Sequence, residues 1–171
     1  PVAMFTNVTS GTNITIKNCE LMASANNIST TGIYSDQYTN VTLENNCICR
    51  TSIGIICSGS DLNIVNNCIG SDVESEYVRT GIGIDGASNV IISGNTMKNM
   101  IAEFDDNVLI GSYLMNVTGD CLYEKNSIDS VINTGTGTAI GLFVKDCLPG
   151  EMDIINNHIS HIASDNFSDQ I

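Results

Sequence analysis

Asn40-Val41-Thr42-Leu43-Glu44-Asn45-Asn46-Cys47-Ile48 returns 21 residues later as Asp61-Leu62-Asn63-Ile64-Val65-Asn66-Asn67-Cys68-Ile69, with aliphatic residues at the second, fourth and ninth places of both. Working outward from this pair, the pattern closes four more times. Ile16, Leu43, Ile64, Ile92, Tyr123 and Ile154 form one column; two places earlier stand Ile14, Val41, Leu62, Val90, Cys121 and Met152, and five places later Leu21, Ile48, Ile69, Met97, Ile128 and Ile159. The position opening each strand is an acid or an amide: Asn13, Asn40, Asp61, Asn89, Asp120 and Glu151.

Successive members of the first column are 27, 21, 28, 31 and 31 residues apart, a period that belongs to solenoids. Within each repeat the apolar spacing is two, so the element is a strand with Val41 and Leu43 facing inward and Thr42 outward. Such strands recur without an amphipathic helix between them, so each must pair with its counterpart in the next repeat, which predicts a parallel β-helix of about six coils. A second strand per coil is marked by Gly32-Ile33, Gly54-Ile55, Gly83-Ile84 and Gly141-Leu142. In coil four Val108, Leu109 and Ile110 precede Gly111 instead of following it, which points to a bulge or a shifted register there.

Asn46, Asn67, Asn95, Asn126 and Asn157 share one turn column, with Cys19 in their place in the first coil. Side-chain amides stacked at the strand spacing of about 4.8 Å can donate to one neighbour and accept from the other, which predicts an asparagine ladder. With these columns the chain resembles the right-handed parallel β-helix proteins typified by pectate lyases, polygalacturonases and phage tailspikes, over about residues 13–162. The resemblance implies a single-stranded, all-β, right-handed solenoid and a surface or secreted scaffold that recognises polysaccharide, tailspike-like or adhesin-like. Its enzymatic members imply a second reading, a polysaccharide lyase, glycoside hydrolase or epimerase. A purely structural spacer is the third.

Composition agrees with a narrow tube filled by stacked aliphatic side chains: 5% of residues are aromatic and tryptophan is absent. The 171 residues are expected to form one domain, and exposed solenoid ends suggest a segment of a longer protein or a homo-oligomer. Six basic against 19 acidic residues, net charge −13, argue against a nucleic-acid groove and against anionic membranes, and no apolar run is long enough to span a bilayer. Divalent cations and neutral sugars remain as partners. Extracellular or cell- or virion-surface location follows from the scaffold reading.

Seven cysteines include no CxxC, and Cys47 and Cys68 fall in one column of adjacent coils, where stacked free thiols are expected. Six N-x-S/T triplets, beginning at Asn7, Asn13, Asn27, Asn40, Asn116 and Asn166, follow from the abundance of asparagine and threonine in this geometry. His158 and His161 stand three apart across a turn, a spacing more often solvated than metal-bound.

Coil length varies mainly between the Leu21 column and the glycine-led strand, so the insertions gather on one side, often the binding face of a solenoid. Two neighbouring insertions are acidic: Asp72, Glu74 and Glu76, with Tyr77 and Arg79, in residues 70–80, and Glu103, Asp105 and Asp106 in 98–107. Converging carboxylates could hold Ca²⁺, with Glu74, Glu76, Asp105 and Asp106 as ligands, or act as an acid–base pair, with Glu76, Asp105, Asp106 and Arg79 as the catalytic candidates. Tyr77 and Arg79 are the substrate-binding candidates. The alternative is two solvated loops whose charge keeps the edge soluble. A binding scaffold would show a long shallow groove with exposed Tyr34, Tyr38 or Tyr77. The Arg or Lys base that the resemblance to pectate lyases implies has no recognisable pair here, and the Gly-His-Gly and Arg-x-Lys segments of polygalacturonases are absent.

Overall fold

The computed structural model describes residues 2–7, 11–72, 78–102 and 108–164. They form thirteen strands and no helix. In chain order these are β1 (Val2–Asn7), β2 (Gly11–Lys17), β3 (Glu20–Glu44), β4 (Cys47–Val65), β5 (Cys68–Ile69), β6 (Thr80–Ser93) and β7 (Thr96–Ala102). There follow β8 (Leu109–Met115), β9 (Thr118–Glu124), β10 (Ser127–Asn133), β11 (Ala139–Lys145), β12 (Leu148–Ile155) and β13 (His158–Ser164). Long strands such as β3 line more than one face of the tube, and their register with the next coil shifts along the way, between Met22 and Asn27, Asn27 and Thr31, and Ser35 and Tyr38.

All pairings are parallel and join one coil to the next, giving a β-solenoid of about five turns. The six rungs of the leading column enclose only five full intervals, which is why the coil number is one lower than the count of repeats. The predicted registers hold. Ile16 pairs with Leu43, Leu43 with Ile64, Ile64 with Ile92, Ile92 with Tyr123 and Tyr123 with Ile154. Leu21, Ile48, Ile69, Met97, Ile128 and Ile159 align in the same way along the other wall.

The glycine-led strand is displaced by two residues in one coil from the sequence expectation. Ile33 pairs with Ile55, Ile55 with Ile82, Ile82 with Ser112 and Ser112 with Leu142, so the glycine column is Gly32, Gly54, Gly81, Gly111 and Gly141, and Gly83 lies outside it. Close packing requires this column: a Cβ on Gly54 would stand 2.6 Å from both Gly81 O and Ile69 Cγ2, and one on Gly111 2.5 Å from Ile128 Cγ2. Coil four has no bulge in this strand, since β8 stays in register with β6 and β11. Its irregularity is one of volume. Tyr123 replaces the aliphatic residue of its column and Ser112 the aliphatic residue of another, a large side chain and a small one filling the same slice of the tube. Both are fully buried, and burial raises the Tyr123 phenol to about 12. Register shifts do occur where β9 and β12 each carry an extra residue before Cys121 and Met152.

The inner asparagine ladder is continuous. Each Oδ1 accepts two bonds from the coil before it, one from the backbone N–H and one from the side-chain amide: Asn46 to Asn67 at 3.0 and 2.9 Å, Asn67 to Asn95 at 2.9 and 3.0 Å, and Asn95 to Asn126 at 3.0 Å for both. Asn126 closes onto Asn157 at 2.9 and 3.2 Å, and Cys19 N donates to Asn46 Oδ1 at the other end. The remaining amide proton of each goes to a strand carbonyl, as in Asn67 Nδ2 to Leu43 O at 2.9 Å.

Candidate functional site

Of the acidic-loop residues, Glu74, Glu76, Tyr77, Glu103, Asp105 and Asp106 lie outside the described residues. At their margins Asp72 and Arg79 are described. Lys98 Nζ reaches Asp72 Oδ2 at 2.8 Å, a bond that raises the lysine pKa. The Arg79 backbone donates to Ser52 O and accepts from Ile110 N. Of the tyrosines expected on a binding surface, Tyr38 is instead part of the buried core, packed close over Gly11, and only Tyr34 reaches the surface among the described residues. The terminal histidines do not act together: His161 Nδ1 lies 2.6 Å from Asp129 Oδ1, which also accepts from Ser160 Oγ at 2.6 Å. These two bonds hold the Asp129 carboxyl down at about 2. Among the described residues no group of three or more His, Cys, Asp or Glu is placed to hold a metal ion.

The cysteines are free thiols. Cys47 and Cys68 are register partners, and burial, with Cys68 adjacent, raises Cys47 to about 11, while burial alone raises Cys57 to about 12. Both stay protonated at neutral pH and are poor nucleophiles.

Among the described residues, two concave surfaces carry acidic side chains. The larger, about 490 Å³, runs along the solenoid axis across five coils. Each coil contributes one acid or amide and one outward residue of the next strand: Asn40 and Thr42, Asp61 and Asn63, Asn89 and Ile91, Asp120 and Leu122, then Glu151 and Asp153. The column read from sequence as the opening of each strand is therefore also the wall of a groove. Asn40, Asp61 and Asn89 adopt left-handed backbone with φ of 59°, 55° and 53°, which their short polar side chains tolerate. Those side chains link along the axis, Asn40 Nδ2 donating to Asn13 Oδ1 at 2.6 Å and Asn89 Nδ2 to Asp61 Oδ1 at 2.9 Å. Four of the lining residues are acidic and none is basic. Ile91, 43% exposed, and Leu122 give the middle of the groove an apolar floor.

The smaller surface, a pocket of about 190 Å³, lies on the outer face of the glycine-led strands, lined by Tyr34, Asp36, Ile56, Ser58, Asp85 and Tyr113 among others. Tyr34, Ile56, Gly83 and Tyr113 are consecutive register partners. With no side chain at Gly83, the Tyr113 ring lies down across it, its Cε1 and Oη both 2.5 Å from where a Cβ would stand. Aligning the glycines on Gly83 instead of Gly81 hides this column in the sequence, so Tyr113, Asp36 and Asp85 escape notice there.

Comparison with known proteins finds no matching family model, no similar curated protein and no similar solved structure. The architecture is thus that of a parallel β-solenoid, and the narrower likeness to pectate lyases and tailspikes rests on the columns alone. The described residues contain no helix long and apolar enough to cross a membrane.

Proposed function

We propose that this chain is a secreted or surface-exposed β-solenoid scaffold whose axial face recognises polysaccharide. The groove from Asn40 to Asp153 carries this reading. Five rungs at the strand spacing of about 4.8 Å make a track on the order of 19 Å long, an elongated shape that suits a segment of an extended polymer. The groove offers what sugar rings use: amide and carboxylate groups for hydroxyls along the wall, and aliphatic surface at Ile91 and Leu122 for the apolar ring face. Its parts stand on paired strands, so binding needs little reorganisation.

A glycan array probed with the full chain tests the reading, followed by product analysis on every hit. Binding without release of oligosaccharides, weakened by Ile91→Glu in a variant that retains the native circular dichroism, supports a scaffold. Release of products would make the chain an enzyme. Absence of binding to every glycan class would leave the spacer reading in its place.

A further inference from the structure

The pocket beneath Tyr113 differs from the groove in chemistry as well as position. Two tyrosine rings and Ile56 form its apolar walls, and two carboxylates stand at its edge. Each carboxylate is held by one neutral donor: Ser58 Oγ donates to Asp36 Oδ1 at 2.5 Å, and Asn116 Nδ2 to Asp85 Oδ1 at 2.7 Å. Gln37 N in turn donates to Ser58 Oγ at 2.8 Å, fixing that hydroxyl toward Asp36. Neither carboxylate has a cationic partner among the described residues, and no lysine or arginine lines the pocket. Asp85 is close enough to the Tyr113 hydroxyl that its charge, after burial, contributes to raising the phenol pKa, so the ring stays neutral at physiological pH.

A neutral ligand covering this pocket would replace the water on two negative charges with hydrogen bonds at best and would bring no counter-charge. A cation would be compensated twice, by the carboxylates and by the electron-rich faces of the tyrosines. The volume, about 190 Å³, is below that of pockets which enclose whole drug-sized ligands, and suits one charged group with the ring that bears it. The groove on the axial face is also acidic and without a base, so it and the pocket favour the same sign of ligand.

We infer that the Tyr34–Tyr113 pocket binds the protonated amine of an amino sugar, with Asp85 at the Tyr113 end as its counter-charge and Asp36, two rungs away, adding its field from the other edge, so that the polysaccharide recognised is one bearing free amines. This rests on the proposed glycan recognition and narrows its substrate class: uronate-rich polymers, which share the protein's sign, are excluded.

Calorimetry on the full chain separates the possibilities, with glucosamine oligomers, their N-acetylated counterparts, oligogalacturonate and oligolysine as ligands, at mildly acid pH where the sugar amines are charged. The expected result is roughly tenfold or more preference for the free-amine oligomer over the acetylated one, weakening with salt. Asp85→Asn, which keeps the shape and the Asn116 bond, should remove most of that preference, and Gly83→Val should do the same by displacing the Tyr113 ring. Melting temperature and circular dichroism confirm that each variant is folded. If the acetylated oligomer binds as well as the free amine, or Asp85→Asn changes nothing, the ammonium site is wrong while glycan recognition stands. Oligolysine binding as tightly as the glucosamine oligomer would assign the pocket to a basic peptide and overturn the inference. Failure of every sugar, on the array as well, would remove the glycan reading itself.

Discussion

Two polar columns of this solenoid, both rich in asparagine, recur at the same spacing, yet different physics holds each. Asn46, Asn67, Asn95 and Asn126 are buried, none above 1% exposed, and each spends its amide on neighbouring coils and strand carbonyls. None of them needs a left-handed backbone. Asn13, Asn40, Asp61 and Asn89 are exposed and all have positive φ, between 53° and 63°. Inside the tube asparagine is required for its hydrogen bonds, because no water can replace them. At the outer corner it is required for its backbone, and water can replace its bonds. Column regularity in a sequence therefore marks repetition without telling how much each column contributes to stability; burial decides that.

The largest effect that could break this contrast is in the tube itself. Ile64→Asp buries an unpaired charge at a fully enclosed position and should prevent folding, whereas Asn63→Asp, one residue away on the outer face, should leave the native circular dichroism intact. The next sharpens it. Asn67→Ala leaves donors and acceptors of Asn46 and Asn95 unmatched and should cost on the order of 1–3 kcal/mol in denaturant unfolding. Asn89→Ala should cost about 1 kcal/mol through left-handed strain. Glycine separates the causes: Asn89→Gly should recover most of the loss and Asn67→Gly none of it.

The smallest effect is at the last coil. Because His161 and Ser160 hold the Asp129 carboxyl at about 2, below its unfolded range near 3.9, the charged form is favoured by folding. That stability is present above about pH 4 and is lost as pH falls through about 2. Asp129→Asn should accordingly shift the denaturation midpoint downward at neutral pH, and the difference should close in that acid window. Partial exposure of both side chains keeps the shift small.

Much of this architecture was legible because inward columns with a period of two leave little choice. Ile64 and Leu62 can be buried together only in a strand, and recurrence at Ile92 and Val90 can be satisfied only by stacking. The asparagine turn was legible for the same reason. The glycine strand was misaligned in one coil because Gly81 and Gly83 both precede isoleucine, and only packing against Met97 and the Gly111 carbonyl distinguishes them. Coil four looked irregular because sequence does not reveal that Tyr123 and Ser112 share a slice of the tube. The concave surfaces were harder still. Glu74, Glu76, Asp105 and Asp106, which acid content singles out, lie outside the described residues; the groove is made by residues whose first duty is to turn the chain, and Tyr113 gains its place from an absent side chain at Gly83.

The ladder can be tested at its own atoms. In hydrogen-exchange NMR of a sample with nitrogen-15 in its asparagine side chains, the amide protons of Asn46, Asn67, Asn95 and Asn126 should be protected by orders of magnitude over those of Asn40 and Asn89, with exchange approaching the rate of global unfolding. Asparagine side chains that all exchange at one fast rate would contradict the buried ladder and the stacked solenoid built around it.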